Sequence, residues 1–152
     1  MRMVVMSDSH NEKEMLKQII AKHRNDTQLF VFLGDGIGNF EDITMFDSKI
    51  NKIMVKGNDD GDAYVDIYET FVFGGKKFYA NHGEVKNVKN GLDELKQEAI
   101  KFEADVCLFG HTHIQHYETD GNLILINPGA VTDGGKYCVI DIINGEFSTV
   151  FN

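Results

Sequence analysis

Five short segments carry side chains that can bind metal: Ser7-Asp8-Ser9-His10, Leu33-Gly34-Asp35-Gly36, Lys56-Gly57-Asn58-Asp59-Asp60, Asn81-His82-Gly83-Glu84 and Gly110-His111-Thr112-His113. Imidazole nitrogen, carboxylate oxygen and amide oxygen together suit borderline divalent cations. The candidate ligands are Asp8, His10, Asp35, Asn58, His82, His111 and His113. They are too many for one tetrahedral ion and about right for two ions that share a bridge. Two cations ~3.5–4 Å apart can lower the pKa of a shared water and clamp the oxygens of a reacting phosphoryl group. Any one segment alone is weak, because Asp-x-His and His-x-His arise often by chance. The ordered set is far more specific. Asp8, Asp35, Asp59, Asp60, Asp62 and Glu84 would also crowd negative charge at one edge, an arrangement that repels itself without cations.

These segments need strands to position them, and each follows an apolar run. Met3–Met6, Leu29–Leu33, Ile53–Val55 and Val106–Phe109 read as short buried strands. Met15, Leu16, Ile19 and Ile20 mark one face of a helix over Glu12–His23. Leu92, Leu95, Ala99 and Phe102 do the same over Leu92–Phe102. Three turn signals predict hairpins: Gly74-Gly75 between Val65–Phe73 and Lys77–Ala80, Asp120-Gly121 between Ile114–Glu118 and Leu123–Ile126, and Asn144-Gly145 between Tyr137–Ile142 and Phe147–Val150. The first part alternates strand and helix and the last third is almost all strand. That order predicts an α/β sandwich of two mixed β-sheets with helices outside. Ligands in open α/β sheets gather at the C-terminal ends of strands, where the five segments fall.

The bulk properties set the frame. A chain of 152 residues suits a single domain spanning 1–152. No apolar run approaches the ~20 residues of a membrane span, and the N-terminus lacks the features of a signal peptide. With Cys107 and Cys138 expected as buried free thiols, a cytoplasmic location is expected. A net charge of −9 argues against duplex nucleic acid as a partner, though not against a small phosphate ester. The only arginines, Arg2 and Arg24, lie outside the motifs, so phosphate charge must be neutralised by something other than guanidinium. His23 reads as a helix C-terminal residue favouring the dipole, and His116 as a hairpin strand residue. The exposed hairpin strands could pair across a homodimer, but nothing in the sequence forces it.

The ordered set Asp-x-His, Gly-Asp, Gly-Asn-x-Asp, His-Gly and Gly-His-x-His, followed by Asn127-Pro128-Gly129, resembles the calcineurin-like metallophosphoesterase superfamily. The resemblance runs from Met3 to Ile142 and is strongest to the small bacterial and archaeal phosphodiesterase branch. It implies that Asp8, His10 and His113 hold one metal, that Asn58, His82 and His111 hold a second, and that Asp35 bridges both. It also implies hydrolysis of small phosphodiesters by in-line attack of a metal-bridging hydroxide. Manganese is the first expectation for the metal, with iron, zinc, nickel and cobalt also suited to the ligand set.

Three departures stand out. Large phosphatases of the superfamily carry a histidine after the asparagine, as proton donor to the leaving group; here Asp59 stands there. An aspartate is ordinarily ionised at neutral pH and has no proton to give. Asn58 and Asp59 are thus the positions nearest the chemistry, and Asp59 favours singly charged diesters over monoesters. After Asn127-Pro128-Gly129 the chain continues Ala130-Val131-Thr132-Asp133, without the arginine common in the small branch. Glu84 follows His82-Gly83, where histidine or aspartate is common, and reads as a surface carboxylate.

Two other readings compete. His111, His113 and His116 match part of the metallo-β-lactamase signature, but Gln115 occupies its aspartate position. The second is a metal-binding scaffold or interaction module with little catalysis, as in the retromer subunit of this fold. That subunit has degraded metal motifs, whereas all seven ligand positions are intact here.

Overall fold

The computed structural model describes residues 1–152. The predicted sandwich is present as two five-stranded mixed sheets. The first contains β1 (Arg2–Met6), β2 (Leu29–Phe32), β3 (Lys52–Met54), β9 (Cys138–Ile143) and β10 (Glu146–Phe151), ordered β10-β9-β1-β2-β3. The second contains β4 (Tyr68–Phe73), β5 (Lys76–Asn81), β6 (Val106–Leu108), β7 (His116–Asp120) and β8 (Leu123–Asn127), ordered β4-β5-β6-β8-β7.

Side-chain alternation divides the core. Met3 and Val5 of β1 pack between the sheets with Val31, Phe78, Leu108 and Ile140. Their neighbours Val4 and Met6 face the other way, against Leu16, Ile19 and Ile20 of α1 (Lys13–His23) and Ile37 and Phe40 of α2 (Ile37–Thr44). Tyr79 and Cys107 of the second sheet pack under Leu95 and Ala99 of α3 (Asp93–Lys101). The continuous apolar runs are thus strands buried on both faces, as parallel strands between helices and a second sheet require. β1, β2 and β3 run parallel to one another, as do β5, β6 and β8. Their C-terminal ends carry the motif segments.

The hairpins close with two-residue turns. Phe73 pairs with Lys76 across Gly74-Gly75, and Ile143 with Glu146 across Asn144-Gly145. Both residues of each turn have positive φ, as the tight hairpin turn demands. The third turn is Gly121-Asn122, since Asp120 pairs with Leu123. That is one residue beyond the Asp120-Gly121 expected.

α2 was not expected from the sequence. Ile37, Phe40 and Thr44 are its buried positions, but Gly38 weakens the helical signal and the cap comes from another loop. His23 also differs from expectation. It is buried with its Nε2 3.0 Å from the Tyr137 hydroxyl. Burial holds its pKa below the usual histidine value, so the neutral ring is favoured over a cation serving the helix dipole. Cys107 and Cys138 are buried free thiols, and burial pushes both pKa values up. No helix is long and apolar enough to cross a membrane.

Candidate metal centre

Asp8 and His10 follow β1, Asp35 follows β2 and Asn58 follows β3, all from the first sheet. His82 follows β5, and His111 and His113 follow β6, from the second. Backbone hydrogen bonds lace these loops together. The Asp8 N–H donates to the Gly34 carbonyl at 2.9 Å, His10 N–H to the Asp35 carbonyl at 2.9 Å, and Gly110 N–H to the His82 carbonyl at 2.8 Å. The approach is so close that a Cβ on Gly57 would sit 2.2 Å from Asp35 Oδ1, and one on Gly110 2.0 Å from Ser7 Oγ. Only glycine fits at either place.

The histidine and carboxylate ligand atoms fall into two groups, Asp8–His10–His113 and Asp35–His82–His111, each within 4.8 Å across. Asp35 also belongs to a third group with His10 and Asp59, so it is shared between the two sides of the site. Within the first group, His10 Nε2 lies 3.5 Å from His113 Nε2, and His113 Nε2 lies 3.2 Å from Asp8 Oδ1. Within the second, His82 Nε2 lies 3.3 Å from Asp35 Oδ2 and 3.2 Å from His111 Nδ1. Asn58 Oδ1 is 3.2 Å from the same His82 nitrogen. All seven predicted ligands therefore meet in one place.

This donor set fits divalent cations on several counts. Asp8 Oδ1 is fully buried and accepts no hydrogen bond, although His113 Nε2 lies 3.2 Å away, and a buried carboxylate oxygen without a donor is expensive unless a positive charge stands beside it. Pairs of imidazole nitrogens point at each other with room for at most one proton between them. His82 Nδ1 faces the Leu33 carbonyl at 2.6 Å. Donation there fixes the tautomer and leaves the Nε2 lone pair facing the group, the usual outer support of a ligating histidine. Asp8, His10, Asp35, His111 and His113 all have φ between 44° and 65°. Non-glycine residues in this region carry strain that clusters at functional sites.

The charges are mutually dependent. Burial opposes a proton on His82, but contact with Asp35 and the field of Asp8 outweigh it and raise its pKa. Burial alone would raise Asp35. The His82 ring, the Asp59 N–H and the nearby His10 instead hold it below the usual carboxylate value. Burial and the neighbouring His82 lower His111.

Two polar residues proved more important than their sequence context suggested. Asp60 accepts four backbone hydrogen bonds: Oδ2 from Asp35 N–H and Gly57 N–H at 2.8 Å, and Oδ1 from Gly36 N–H at 2.8 Å and Ile37 N–H at 2.9 Å. It ties the Asp35 loop to the Asn58 loop and caps α2. Its charge is thereby satisfied by the backbone, not left to repel Asp35. Buried Asn127 donates through Nδ2 to the Gly110 carbonyl at 2.8 Å and to Thr112 Oγ1 at 3.1 Å. The asparagine of the Asn127-Pro128-Gly129 turn thus braces the His111–His113 loop. Asp62 is exposed and joins none of the metal-compatible groups, so that part of the expected acidic crowding is absent.

Residues 1–145 match the calcineurin-like phosphoesterase superfamily domain. The chain belongs to that superfamily. Among its relatives, the probable metallophosphoesterase YsnB of Bacillus subtilis (strain 168) is 32% identical over 133 residues, covering 86% of this chain and 75% of YsnB. Phosphodiesterase MJ0936 of Methanocaldococcus jannaschii is 24% identical over 145 residues, covering 85% of this chain and 83% of that protein. A Streptococcus pneumoniae TIGR4 protein described as a predicted phosphoesterase shares the fold with a TM-score of 0.83 and 22% identity, covering 99% of this chain and 87% of that one. Vps29 of Entamoeba histolytica, solved in complex with Zn²⁺, shares it with a TM-score of 0.77 and 17% identity, covering 100% and 98%. This superfamily is metal-dependent, and the chain brings together candidate metal-ligand groups.

Proposed function

We propose that the chain is a dinuclear metal-dependent phosphodiesterase acting on small phosphodiesters. The observation that supports this reading is Asp35, which groups with His82 and His111 on one side and, on the other, with His10, itself a member of the Asp8–His10–His113 group. Asp8, His10 and His113 would hold one ion, and Asn58, His82 and His111 the other, with Asp35 common to both. When bound, two divalent ions supply Lewis acidity and an activated water at neutral pH, which offsets the lack of arginine at the site.

The chain's own residues do the positioning. Leu33 orients the His82 ring through Nδ1. The Asp59 N–H holds Asp35 Oδ1 at 2.8 Å, leaving Oδ2 beside His82 Nε2 at 3.3 Å. Asn58 donates through Nδ2 to Asp59 Oδ1 at 2.9 Å, which turns its own Oδ1 towards His82. Asp59 presents a carboxylate that is 60% exposed, with Oδ2 3.5 Å from His10 Nδ1. It places negative charge at the rim where the phosphoryl group must approach. A monoester arrives nearly doubly charged and a diester with one charge, so the rim penalises the monoester more.

Metal should govern both stability and turnover. Chelated protein is expected to be inert on bis(p-nitrophenyl) phosphate, to recover with Mn²⁺, and to melt at higher temperature as Mn²⁺ is added. Metal analysis of the reconstituted protein should find two ions per chain. Full activity after stripping would refute the reading.

Asp59→His should raise activity on poor leaving groups, monoesters above all, by ~10–10², in keeping with an added general acid. The check is the ratio of monoester to diester kcat/KM. An unchanged ratio removes Asp59 from the chemistry.

A further inference from the structure

Beside the donor groups, on the side of Asn58 and His82, lies a cavity of about 310 Å³ lined by Lys56, Ile67, Asn81, Glu84 and Val85. Its side chains divide sharply by what remains free to bind. Asn81 is committed: Nδ2 donates to the Ile67 carbonyl at 2.8 Å and Oδ1 accepts from Gly83 N–H at 2.7 Å. Ile67 and Val85 are both 50% exposed, an apolar surface bordering the metal centre. Lys56 is anchored by its backbone, whose N–H donates to the Asp66 carbonyl at 2.8 Å. Its ammonium has no ion pair, unlike Lys13, Lys77, Lys86, Lys96 and Lys101. Glu84 is the one carboxylate of this lining.

The other flank of the site is the opposite in character. There a depression beyond His10 and Asp35 is lined by Asp42, which pairs with Lys13 at 2.6 Å, by Asp60, whose carboxylate is held by backbone N–H groups, and by the exposed carboxylate of Asp59. An anionic ligand anchored at the metals therefore meets the open carboxylate of Asp59 on one flank and the free ammonium of Lys56 on the other, and the second is favoured.

We infer that the Lys56 cavity is a substrate subsite, receiving the organic part of a phosphate ester that carries a second anionic group. This rests on the proposed phosphodiesterase reading for its anchor point. The aliphatic walls of Ile67 and Val85 cover the organic part, and the Lys56 ammonium pairs with the second phosphate or carboxylate. The cavity's volume is at the lower end of small-molecule sites, enough for a group of nucleoside size. Lys56 thereby brings a positive charge to a site that has no arginine.

Equilibrium binding tests this apart from turnover. Mn²⁺-loaded protein is titrated calorimetrically with thymidine 3′,5′-bisphosphate and with thymidine 5′-phosphate. The bisphosphate should bind at least tenfold more tightly. Lys56→Ala should bring that ratio close to one, and Lys56→Arg should restore most of it. A wild-type ratio near one, or a preference that survives Lys56→Ala, overturns the subsite. Hydrolysis of bis(p-nitrophenyl) phosphate is measured alongside. A Lys56-dependent preference without hydrolysis keeps the subsite and rejects the phosphodiesterase reading. Hydrolysis without the preference does the reverse.

Discussion

Asp35→Asn should cut phosphodiester turnover by ~10² or more, a larger loss than replacing a ligand of one ion alone, such as His113→Ala. Asparagine preserves the shape of Asp35 and can still accept the Asp59 N–H through Oδ1. It removes the charge that faces His82 and is shared between the donor groups. The fold should therefore survive while the number of tightly held ions falls. Circular dichroism, metal analysis and steady-state kinetics on the same preparation separate these effects. A loss of less than tenfold, with both ions retained, would show that Asp35 is not the common ligand.

Asp60→Ala is expected to damage the fold itself. Its carboxylate satisfies four backbone N–H groups from three positions of the Asp35 loop and one of the Asn58 loop. Hydrogen bonds to a charged acceptor are worth ~1.5–3 kcal/mol each. Water can replace part of them because the residue is only half-buried. A net loss of about 3–5 kcal/mol is expected, a large share of the stability of a domain this size. Denaturant unfolding in chelator checks this without any contribution from metal. Asp60→Asn should fall between wild type and alanine, since one oxygen survives. A cost below about 1 kcal/mol for Asp60→Ala would mean the loops are held by their other hydrogen bonds.

Asp35 and Asp60 mark where the sequence was legible and where it was not. Asp35 could be found because it closes an apolar run and sits beside glycine, within an ordered series of similar endings. The strands Met3–Met6 and Leu29–Leu33 were clear for a related reason. Burial on both faces requires unbroken apolar residues, and that leaves a plain trace. Asp60 lies in the same Gly-Asn-Asp-Asp segment as Asn58, yet its role depends on N–H groups some twenty-five positions earlier, with Asp35 N–H the clearest case at |i−j| of 25. No local pattern encodes such a partner. The same remoteness hid α2, whose cap is Asp60 and whose Gly38 weakens the helical signal. The spacing of Ile37 and Phe40 was the signal that could have found it. The position of His23 at a helix end suggests a solvated cation, but Tyr137, more than a hundred residues later, closes over it. Lys56 gave no sequence signal, since a free ammonium is defined by the carboxylates that do not reach it.

The central place of β1 in its sheet has a consequence for how the chain is made. β1 is flanked on one side by β2, which follows within thirty residues, and on the other by β9, which begins only at Cys138. During synthesis on the ribosome, Met3–Met6 can pair along one edge early. Its other edge, with the apolar face meant for the second sheet, stays open until β9 has emerged. An exposed apolar strand edge is a template for pairing with other chains. The nascent protein should therefore depend on holding chaperones during translation, and slowing elongation after β2 should increase aggregation in a chaperone-depleted extract. The loop that carries Asp8 and His10 follows this same strand, so the candidate donors of the first sheet depend on that late pairing for their final support.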